Sequence, residues 1–153
     1  MGLLKGKHTV NAQKLWETYS RKENIQSDYE AWAFGDDADK LAQLVMDGIK
    51  TATASAYPLY ALEGEPLPKA GQYSVILNSH EEAVCIIRTE RVFIVPFHQV
   101  DETQAWKEGE GDRSLSYWRK VHEAFFHQEL AEASLSFDEK MLVVCEEFVR
   151  VFP

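Results

Sequence analysis

One stretch of nine residues constrains the fold of this chain more than any other part of it. It reads Asp-Gly-Ile-Lys-Thr-Ala-Thr-Ala-Ser from position 47 and follows a helical pattern of apolar residues. Gly48 accepts the left-handed conformation that ends many helices, so we expect Lys50 to lie in the loop that leaves the helix. In an extended strand the alternation with alanine then places three hydroxyls on one face, those of Thr51, Thr53 and Ser55.

A lysine beside a row of hydroxyls has two interpretations. A desolvated lysine amine that has lost its proton can act as general base for a threonine hydroxyl, which by itself is a weak nucleophile. Alternatively, the strand is a solvent-facing edge and Lys50 is an ordinary charged side chain. Because threonine and small residues are common in strands, the local sequence favours this second interpretation.

The composition indicates one globular domain with a core of its own. The chain has 153 residues, of which 45% are hydrophobic and 27% charged. Cys85 and Cys145 each lie in an apolar, strand-like run, which favours buried reduced thiols over a disulfide or a metal site. We therefore expect a cytoplasmic protein. The sequence shows neither a signal core nor eighteen consecutive apolar residues, so we expect no membrane partner.

The charge balance argues against an extended polynucleotide surface. Sixteen lysines and arginines face 25 acidic residues, for a formal net charge of −9. Proteins that bind long nucleic acids usually carry a basic stripe, because phosphate neutralisation supplies most of the non-specific affinity. The sequence shows no such stripe, so a DNA-binding groove is not expected. A basic pocket assembled by the fold is still compatible with this composition.

Periodicity predicts two main helices. The first covers residues 37–47, with Asp36 as its N-terminal cap and an apolar stripe along one side. The second starts at the capping residue Ser114, ends near Glu129 and has an aromatic-rich buried face that includes Trp118, His122, Phe125 and Phe126. We interpret the histidine in this face as a hydrogen-bonded core residue rather than a catalytic one.

The predicted strands cover residues 51–56, 72–78, 83–95 and 141–152. Sequential hairpins with one returning terminal strand leave few ways to cover the sheet edges, so we expect an α+β domain in which a small β-barrel is flanked by helices. Glu146 and Glu147 interrupt the last strand and suggest a bulge or an exposed edge. Residues 57–70 contain three prolines and a glycine and are interpreted as a surface loop that can act as a lid.

An unusual acidic segment, Glu108-Gly109-Glu110-Gly111-Asp112, precedes the long helix. Its glycines give the backbone the freedom to aim three closely spaced carboxylates. Carboxylates this close together repel one another, so the pKa of at least one of the three should be raised unless a cation or solvent lies between them. A solvated acidic loop is an equally good interpretation. The segment lacks the spacing and the terminal glutamate of a calcium-binding loop.

Taken together, several motifs resemble the ASCH domain family over the region from about Trp32 to the C-terminus. They are the Gly48-x-Lys50-Thr51-x-Thr53-x-Ser55 segment, the Phe34-Gly35-Asp36 lead-in, Pro68-x-x-Gly71, the strand pair at 73–77 and 83–95, and the acidic segment with Trp118-Arg119. The resemblance implies a PUA-like fold, a single domain over residues 1–153 with an N-terminal helical extension at about 1–30, and RNA binding. It also implies amide hydrolysis of acetylated cytidine, known for small bacterial members, while other members have ribonuclease activity.

The resemblance also carries residue roles onto this chain. By position, the lysine and threonine of the hydrolase members match Lys50 and Thr53, and their glutamate matches Glu110 first and Glu108 second. Family members frequently have an arginine where this chain has Ser55, so substrate contacts are expected to differ. The resemblance implies no metal and no other cofactor.

These residues support two functional hypotheses, an enzyme and an RNA-binding module. In the enzyme, Thr53 attacks an amide carbonyl, Lys50 takes its proton and Glu110 protonates the departing amine. In the RNA-binding module, Lys50 contacts a phosphate. A third possibility is an interaction protein with a vestigial pocket. The candidate substrate-binding residues, for a nucleoside or RNA, are Thr51, Ser55, Glu108, Asp112, Arg113, Tyr57 and Trp32.

Overall fold

The computed structural model describes residues 3–5 and 10–153 and has the α+β architecture that the sequence predicts. Within these residues the chain forms six strands and five helices. They are β1 (Leu3–Lys5), α1 (Val10–Glu23), β2 (Tyr29–Phe34), α2 (Ala38–Met46), β3 (Ala52–Ala56), α3 (Tyr57–Glu63), β4 (Tyr73–Leu77), β5 (Ala83–Pro96), α4 (Glu102–Glu108), α5 (Leu115–Glu132) and β6 (Leu142–Phe152), with a short 3-10 turn at Phe97–Gln99.

All six strands join one sheet in the order β1-β2-β4-β5-β6-β3, which curls into a half-barrel. β2 and β4 are parallel, and the other neighbours are antiparallel. The long strands β5 and β6 keep pairing through register shifts, one of them between Thr89 and Arg91. Such bulges increase local twist and bend a strand, which lets a sheet curl. The sequence suggested a bulge or an exposed edge at Glu146 and Glu147. Residues 142–152 instead form one continuous strand, and the register shift next to these glutamates lies on β5, between Thr89 and Arg91.

Helices cover both faces of the sheet. We call one of them the α2 face, because α2 packs there against Trp32, Ile76, Ile87 and Phe148. On the opposite face, α1 covers β2, β4 and β5, and α5 covers β3 and β6. Both cysteines are fully buried and unbridged, as the sequence predicts. None of the helices within the described ranges has the length and apolar character needed to cross a bilayer.

Two local expectations were wrong. The first part of the expected loop at 57–70 is the helix α3, because Pro58 lies in its first turn, where a missing N–H breaks no helical hydrogen bond. Gly64 then ends α3 with a φ of 67°. The cap of α2 is Asp37 rather than Asp36, and Asp37 adopts a left-handed conformation without a side-chain capping bond.

The long helix α5 begins where the sequence predicts. Ser114 accepts a hydrogen bond from the Tyr117 backbone N–H and caps it. Trp118 and Phe126 are buried, with 3% and 0% of their surface exposed. Phe125 is half-buried and lies at the border between two core clusters, so its expected burial was only partly correct.

This difference gives a stability test. Phe126→Ala should lower the free energy of unfolding by about 3–5 kcal/mol, because it leaves a cavity in a closed core. Phe125→Ala, the matched control on the same helix, should cost clearly less. Urea denaturation followed by circular dichroism measures both, and an equal loss in the two variants would contradict the observed orientation of α5.

Candidate functional site

At the junction between α2 and β3 the helix ends at Gly48, as the sequence predicts, and backbone hydrogen bonds fix the position of Lys50. Gly48 has a φ of 75° and ends the helix. The Lys50 backbone N–H donates to the Leu44 carbonyl at 3.0 Å. The next residue, Thr51, is tied on both sides, since its N–H donates to the Lys107 carbonyl at 2.7 Å and its carbonyl accepts from the Phe148 N–H at 3.0 Å. The lysine therefore projects from a rigid turn.

Lys50 is a buried cation, with 1% of its surface exposed. Its Nζ lies 3.1 Å from Glu110 Oε2 and 3.5 Å from Glu108 Oε1, and it also donates to the Glu108 carbonyl at 3.4 Å. The Phe34 ring centroid is 5.1 Å away, within reach of a cation–π interaction. A solvent-facing edge with an ordinary lysine, which the local sequence favoured, is therefore wrong.

Glu108 is a fully buried carboxylate that several donors surround. Gln104 Nε2 donates to its Oε2 at 3.1 Å, and Trp118 Nε1 donates to the same oxygen. His122 Nε2 lies 3.3 Å from Oε1. Burial works to raise the pKa of Glu108, but His122 and Lys50 outweigh it and hold the pKa well below its usual value of 4.5. The sequence analysis predicts a raised pKa in this segment unless a cation intervenes, and here the Lys50 ammonium lies within reach of both glutamates.

Three partners of Glu108 were not identified as site residues from the sequence. Gln104 precedes Glu108 by one helical turn on α4, and Trp118 and His122 are separated by one turn on α5. His122 Nδ1 lies 2.9 Å from the Trp118 carbonyl, and the two rings stack at 4.1 Å. The interpretation of His122 as a hydrogen-bonded core residue is confirmed. The i, i+4 spacing of each pair is the signal that could have found them.

Glu110 differs from Glu108 in its surroundings. Its carboxylate pairs with Lys50, and its side chain keeps 10% of its surface exposed. Glu108 is sealed on all sides, whereas Glu110 lies at the rim of the buried pair. A ligand from solvent can therefore reach Glu110 without opening the core.

The glycines of the acidic segment are required by close packing as well as by backbone conformation. Gly109 and Gly111 have φ values of 75° and 58°. A Cβ atom on Gly109 would lie 2.7 Å from the Ile49 carbonyl oxygen, and one on Gly111 would lie 2.5 Å from the Tyr117 ring. The segment thus presses against the turn that carries Lys50, which brings Glu108 and Glu110 within reach of the ammonium.

Thr53 lies on the α2 face of β3 and is buried, with 1% of its surface exposed. Its carbonyl accepts a hydrogen bond from Gln104 Nε2 at 3.2 Å. Its hydroxyl has no hydrogen-bond partner among residues 3–5 and 10–153, and it makes no hydrogen bond with Lys50. A buried hydroxyl without a partner costs about 1–3 kcal/mol, which makes it a candidate for a group that meets a ligand.

A cleft opens on the α2 face of the sheet, and its lining includes Glu146, the cross-strand neighbour of Thr53. In the pairing of β3 with β6, Thr53 stands directly opposite Glu146, so the two side chains share a face. The cleft is narrow, with a cavity volume of about 20 Å³, and is lined by Glu30, Trp32, Tyr60, Pro66, Pro68, Gln72, Ser74, Thr89 and Glu146. Of the predicted substrate-binding residues, Trp32 lines it and Ser55 borders it through a 2.7 Å hydrogen bond to the Tyr60 hydroxyl.

The whole chain was then compared with known proteins. The sequence profile of the ASCH domain matches residues 30–152. The chain belongs to the ASCH domain family.

Solved structures agree with this assignment. An ASCH domain from Lactobacillus crispatus JV V101 is 33% identical, with a TM-score of 0.83 over 92% of this chain and 94% of that one. Protein EF3133 from Enterococcus faecalis V583 is 39% identical, with a TM-score of 0.85 over 93% of this chain and 88% of that one. No curated protein matches the chain. The PUA-like fold that the resemblance implied is confirmed.

Other predicted binding residues of this ASCH domain lie outside the Lys50 cluster. Asp112 is exposed, and hydrogen bonds from the Ser114 side chain and from the Ser114 backbone N–H lower the pKa of its carboxyl. Arg113 donates to the Trp106 carbonyl and stacks over the Trp106 ring at 3.7 Å. Tyr57 is 36% exposed at the start of α3. The Thr51 hydroxyl donates to the Lys107 carbonyl at 3.4 Å.

The Lys50 cluster also contains atoms that a metal ion could use. One ligand atom each of Glu108, Glu110 and His122 lie within 4.8 Å of one another. However, the Lys50 ammonium lies between these carboxylates and already supplies the positive charge. A divalent cation would have to displace an ammonium that is held by a rigid turn, so this donor set fits lysine better than a metal.

The packing of Gly109 gives a second test. Gly109→Ala should destabilise the protein more than Gly64→Ala, because both replace a left-handed glycine but a Cβ atom at Gly64 would meet no atom within 4 Å. Left-handed strain by itself costs about 1–2 kcal/mol. Urea denaturation measures both losses. Equal losses would show that the acidic segment does not press against Ile49.

The lowered pKa of Glu108 gives a third test. A carboxylate whose pKa is lower in the folded state contributes stability above its unfolded pKa of about 4.5, and this contribution is lost as the pH falls through the folded value. Glu108→Gln should therefore lower stability at pH 7 and flatten the decline in stability on the acidic side. Glu102→Gln, an exposed change on the same helix, should leave the profile unchanged. A Glu108→Gln profile parallel to the wild type would contradict the assigned charge network.

Proposed function

We propose that this ASCH domain protein is a hydrolase that acts on a modified nucleoside, cleaving the amide of acetylated cytidine with Lys50, Thr53 and Glu110. The observation that carries the proposal is the buried Lys50–Glu110 pair, together with the Thr53 hydroxyl three residues further along the chain, which is buried and has no hydrogen-bond partner among the described residues. These three residues supply a proton-exchanging pair and a candidate nucleophile.

The resting site holds its proton on Lys50. An ammonium that faces two carboxylates in a buried site is stabilised in its charged form. The 3.1 Å contact between Lys50 and Glu110 is that of an ion pair, so in this mechanism the proton of Lys50 moves to Glu110 before Lys50 acts as a base. A substrate that reaches the exposed edge of Glu110 displaces water there, and a drier site favours the neutral amine and acid over the ion pair.

In the first chemical step, the proton moves from Lys50 to Glu110. The neutral lysine amine then takes the proton of the Thr53 hydroxyl, whose oxygen attacks the amide carbonyl. As the carbon–nitrogen bond breaks, Glu110 gives its proton to the departing exocyclic amine. This step leaves cytidine, an acetyl ester on Thr53 and the original ion pair.

The second step returns the enzyme to its resting state. Water attacks the ester and loses a proton to Glu110, while Lys50 returns a proton to the Thr53 oxygen as acetic acid leaves. The proton on Glu110 then passes back to Lys50. Glu108 does not exchange protons in this scheme, because its sealed network of donors suits it to position Lys50.

ASCH domains are also proposed to bind RNA, and the same site offers less to that function. The Lys50 charge is balanced by two carboxylates, and the Arg113 guanidinium donates to a backbone carbonyl. With a net charge of −9, the chain has little free positive charge for a phosphate backbone. The hydrolase therefore accounts better for the buried pair and for the Thr53 hydroxyl.

The proposal is tested by incubating the protein with acetylated cytidine and measuring cytidine by liquid chromatography. Lys50→Ala, Thr53→Val and Glu110→Gln should each lower the rate by at least about a hundredfold, the usual contribution of a positioned acid or base. Exposed controls that remove the same charges are Lys40→Ala and Glu102→Gln, which should keep the wild-type rate. Circular dichroism checks folding. Absence of cytidine with wild-type protein, or full activity in a folded site variant, would refute the mechanism.

A further inference from the structure

The strand that carries Thr53 is covered along its outer side by α4. In the sheet of the described residues β3 is an edge strand, with β6 as its neighbour. Backbone groups on the outer side of an edge strand need other partners, and a helix is one way to cover them. The Thr51 N–H donates to the Lys107 carbonyl at 2.7 Å, and the Thr53 carbonyl accepts from Gln104 Nε2 at 3.2 Å. The second contact comes from a side chain, so it depends on the residue at position 104.

The Gln104 amide nitrogen also makes a second hydrogen bond, to Glu108 Oε2 at 3.1 Å. Gln104 is 2% exposed and precedes Glu108 by one turn of α4. A side-chain amide nitrogen carries two N–H donors, and here they meet acceptors on two different elements. One nitrogen therefore ties the strand that carries the Thr53 hydroxyl to the carboxylate that contacts Lys50.

The two acceptors fix the orientation of this amide. If the amide turned over, Gln104 Oε1 would face the Thr53 carbonyl and the Glu108 carboxylate, and neither group has a proton to donate. The observed orientation leaves Oε1 without a hydrogen-bond partner in the part of the chain that the structure describes. An unpaired buried acceptor is costly, so the two hydrogen bonds of the nitrogen must offset that cost.

Unpaired polar atoms are concentrated at this contact. Among residues 3–5 and 10–153, three buried side-chain atoms lack a hydrogen-bond partner, and they are Thr53 Oγ1, Gln104 Oε1 and Glu129 Oε1. Two of the three belong to the pair of residues that the Gln104 amide joins. Buried groups without partners are rare in folded proteins, and violations of this kind are expected at functional sites. The contact between Gln104 and Thr53 is therefore better explained by a role in the site than by stability alone.

We propose that Gln104 is a positioning residue of the hydrolytic site, which holds the Thr53 hydroxyl in a fixed relation to Lys50 through Glu108. Its amide nitrogen restrains the Thr53 backbone and orients the Glu108 carboxylate, whose other oxygen lies 3.5 Å from Lys50 Nζ. Gln104 exchanges no proton in the reaction. This inference rests on the proposed function for the reaction that Gln104 serves, whereas the bridge between β3 and Glu108 does not depend on it.

Gln104→Met tests this role, because methionine has a similar size and no donor. The variant should lower kcat for acetylated cytidine by at least about tenfold and keep the wild-type KM, since misplaced reacting groups raise the barrier after the substrate has bound. A merely structural role would lower the folded fraction and leave kcat per folded molecule unchanged. Gln99→Met, at an exposed position, is the matched control and should match the wild type. Circular dichroism measures the folded fraction.

Gln104→Glu keeps the shape of the side chain and adds a dependence on pH. A carboxyl group that faces two acceptors in a closed site has a raised pKa and fits there only as the neutral acid. A raised folded-state pKa means that stability is retained below the unfolded pKa and is lost as the pH rises through the folded value. The ratio of variant to wild-type kcat should therefore rise, and the stability gap in urea should narrow, from about pH 8 to about pH 5. Gln99→Glu should follow the wild type throughout.

The bridge can also be observed in the wild-type protein, which covers the case in which Gln104→Met does not fold. In NMR spectra the side-chain amide protons of Gln104 should exchange with solvent far more slowly than those of Gln99. Wild-type kcat in folded Gln104→Met, a kcat ratio for Gln104→Glu that is constant with pH, or fast exchange at Gln104 would overturn the inference.

The outcomes for the two proposals are distinguishable. If acetylated cytidine is hydrolysed and any of these contrary results is found, the proposed function stands and the role of Gln104 is refuted. If no hydrolysis occurs, the hydrolase and the positioning role are both refuted. Slow exchange at Gln104 and a stability gap that narrows at low pH would then confirm only the bridge between β3 and Glu108.

Discussion

The structure of the site depends on the need to neutralise a buried ammonium. Removing the Lys50 charge from water is costly, and the cost is met only if carboxylates approach closely and keep their own partners. Glu108 and Glu110 meet that requirement from a segment 58 and 60 residues further along the chain. The positions of α4, of the acidic segment and of the start of α5 are therefore all linked to one cation at the end of α2.

The two glutamates meet this requirement in different ways. Glu108 takes hydrogen bonds from α4 and α5 and is closed to solvent, so it fixes the geometry. Glu110 shares Lys50 with it and lies at the rim, where exchange with a ligand is possible. Spacing alone does not distinguish two glutamates separated by a single glycine, so the sequence leaves both as candidates for the site carboxylate. Burial and the number of donors distinguish them.

Sequence patterns correctly predicted those structural features that depend on only a few neighbouring residues. Gly48, the Ser114 cap and the β4–β5 hairpin follow from conformational preferences of a few residues, and the ASCH resemblance correctly gave the fold. The burial of Lys50 was not predictable from its neighbours, since it arises when α4 and the acidic segment cover the end of β3. Gln104 and His122 were not recognised as site residues for the same reason. Their spacing along a helix is visible in sequence, but their target on another element is not.

The sequence separation between Lys50 and its carboxylates also has a consequence for how the site comes into existence. Closing such a long loop costs conformational entropy, which the contacts of the docked α4 and acidic segment must offset. Until α4 docks on the end of β3, all three charges stay hydrated and the hydroxyl of Thr53 has water as its partner. The buried charge cluster is thus absent from any form of the chain in which α4 and the acidic segment have not docked, so activity at this site would also report the fraction of protein in which they have docked.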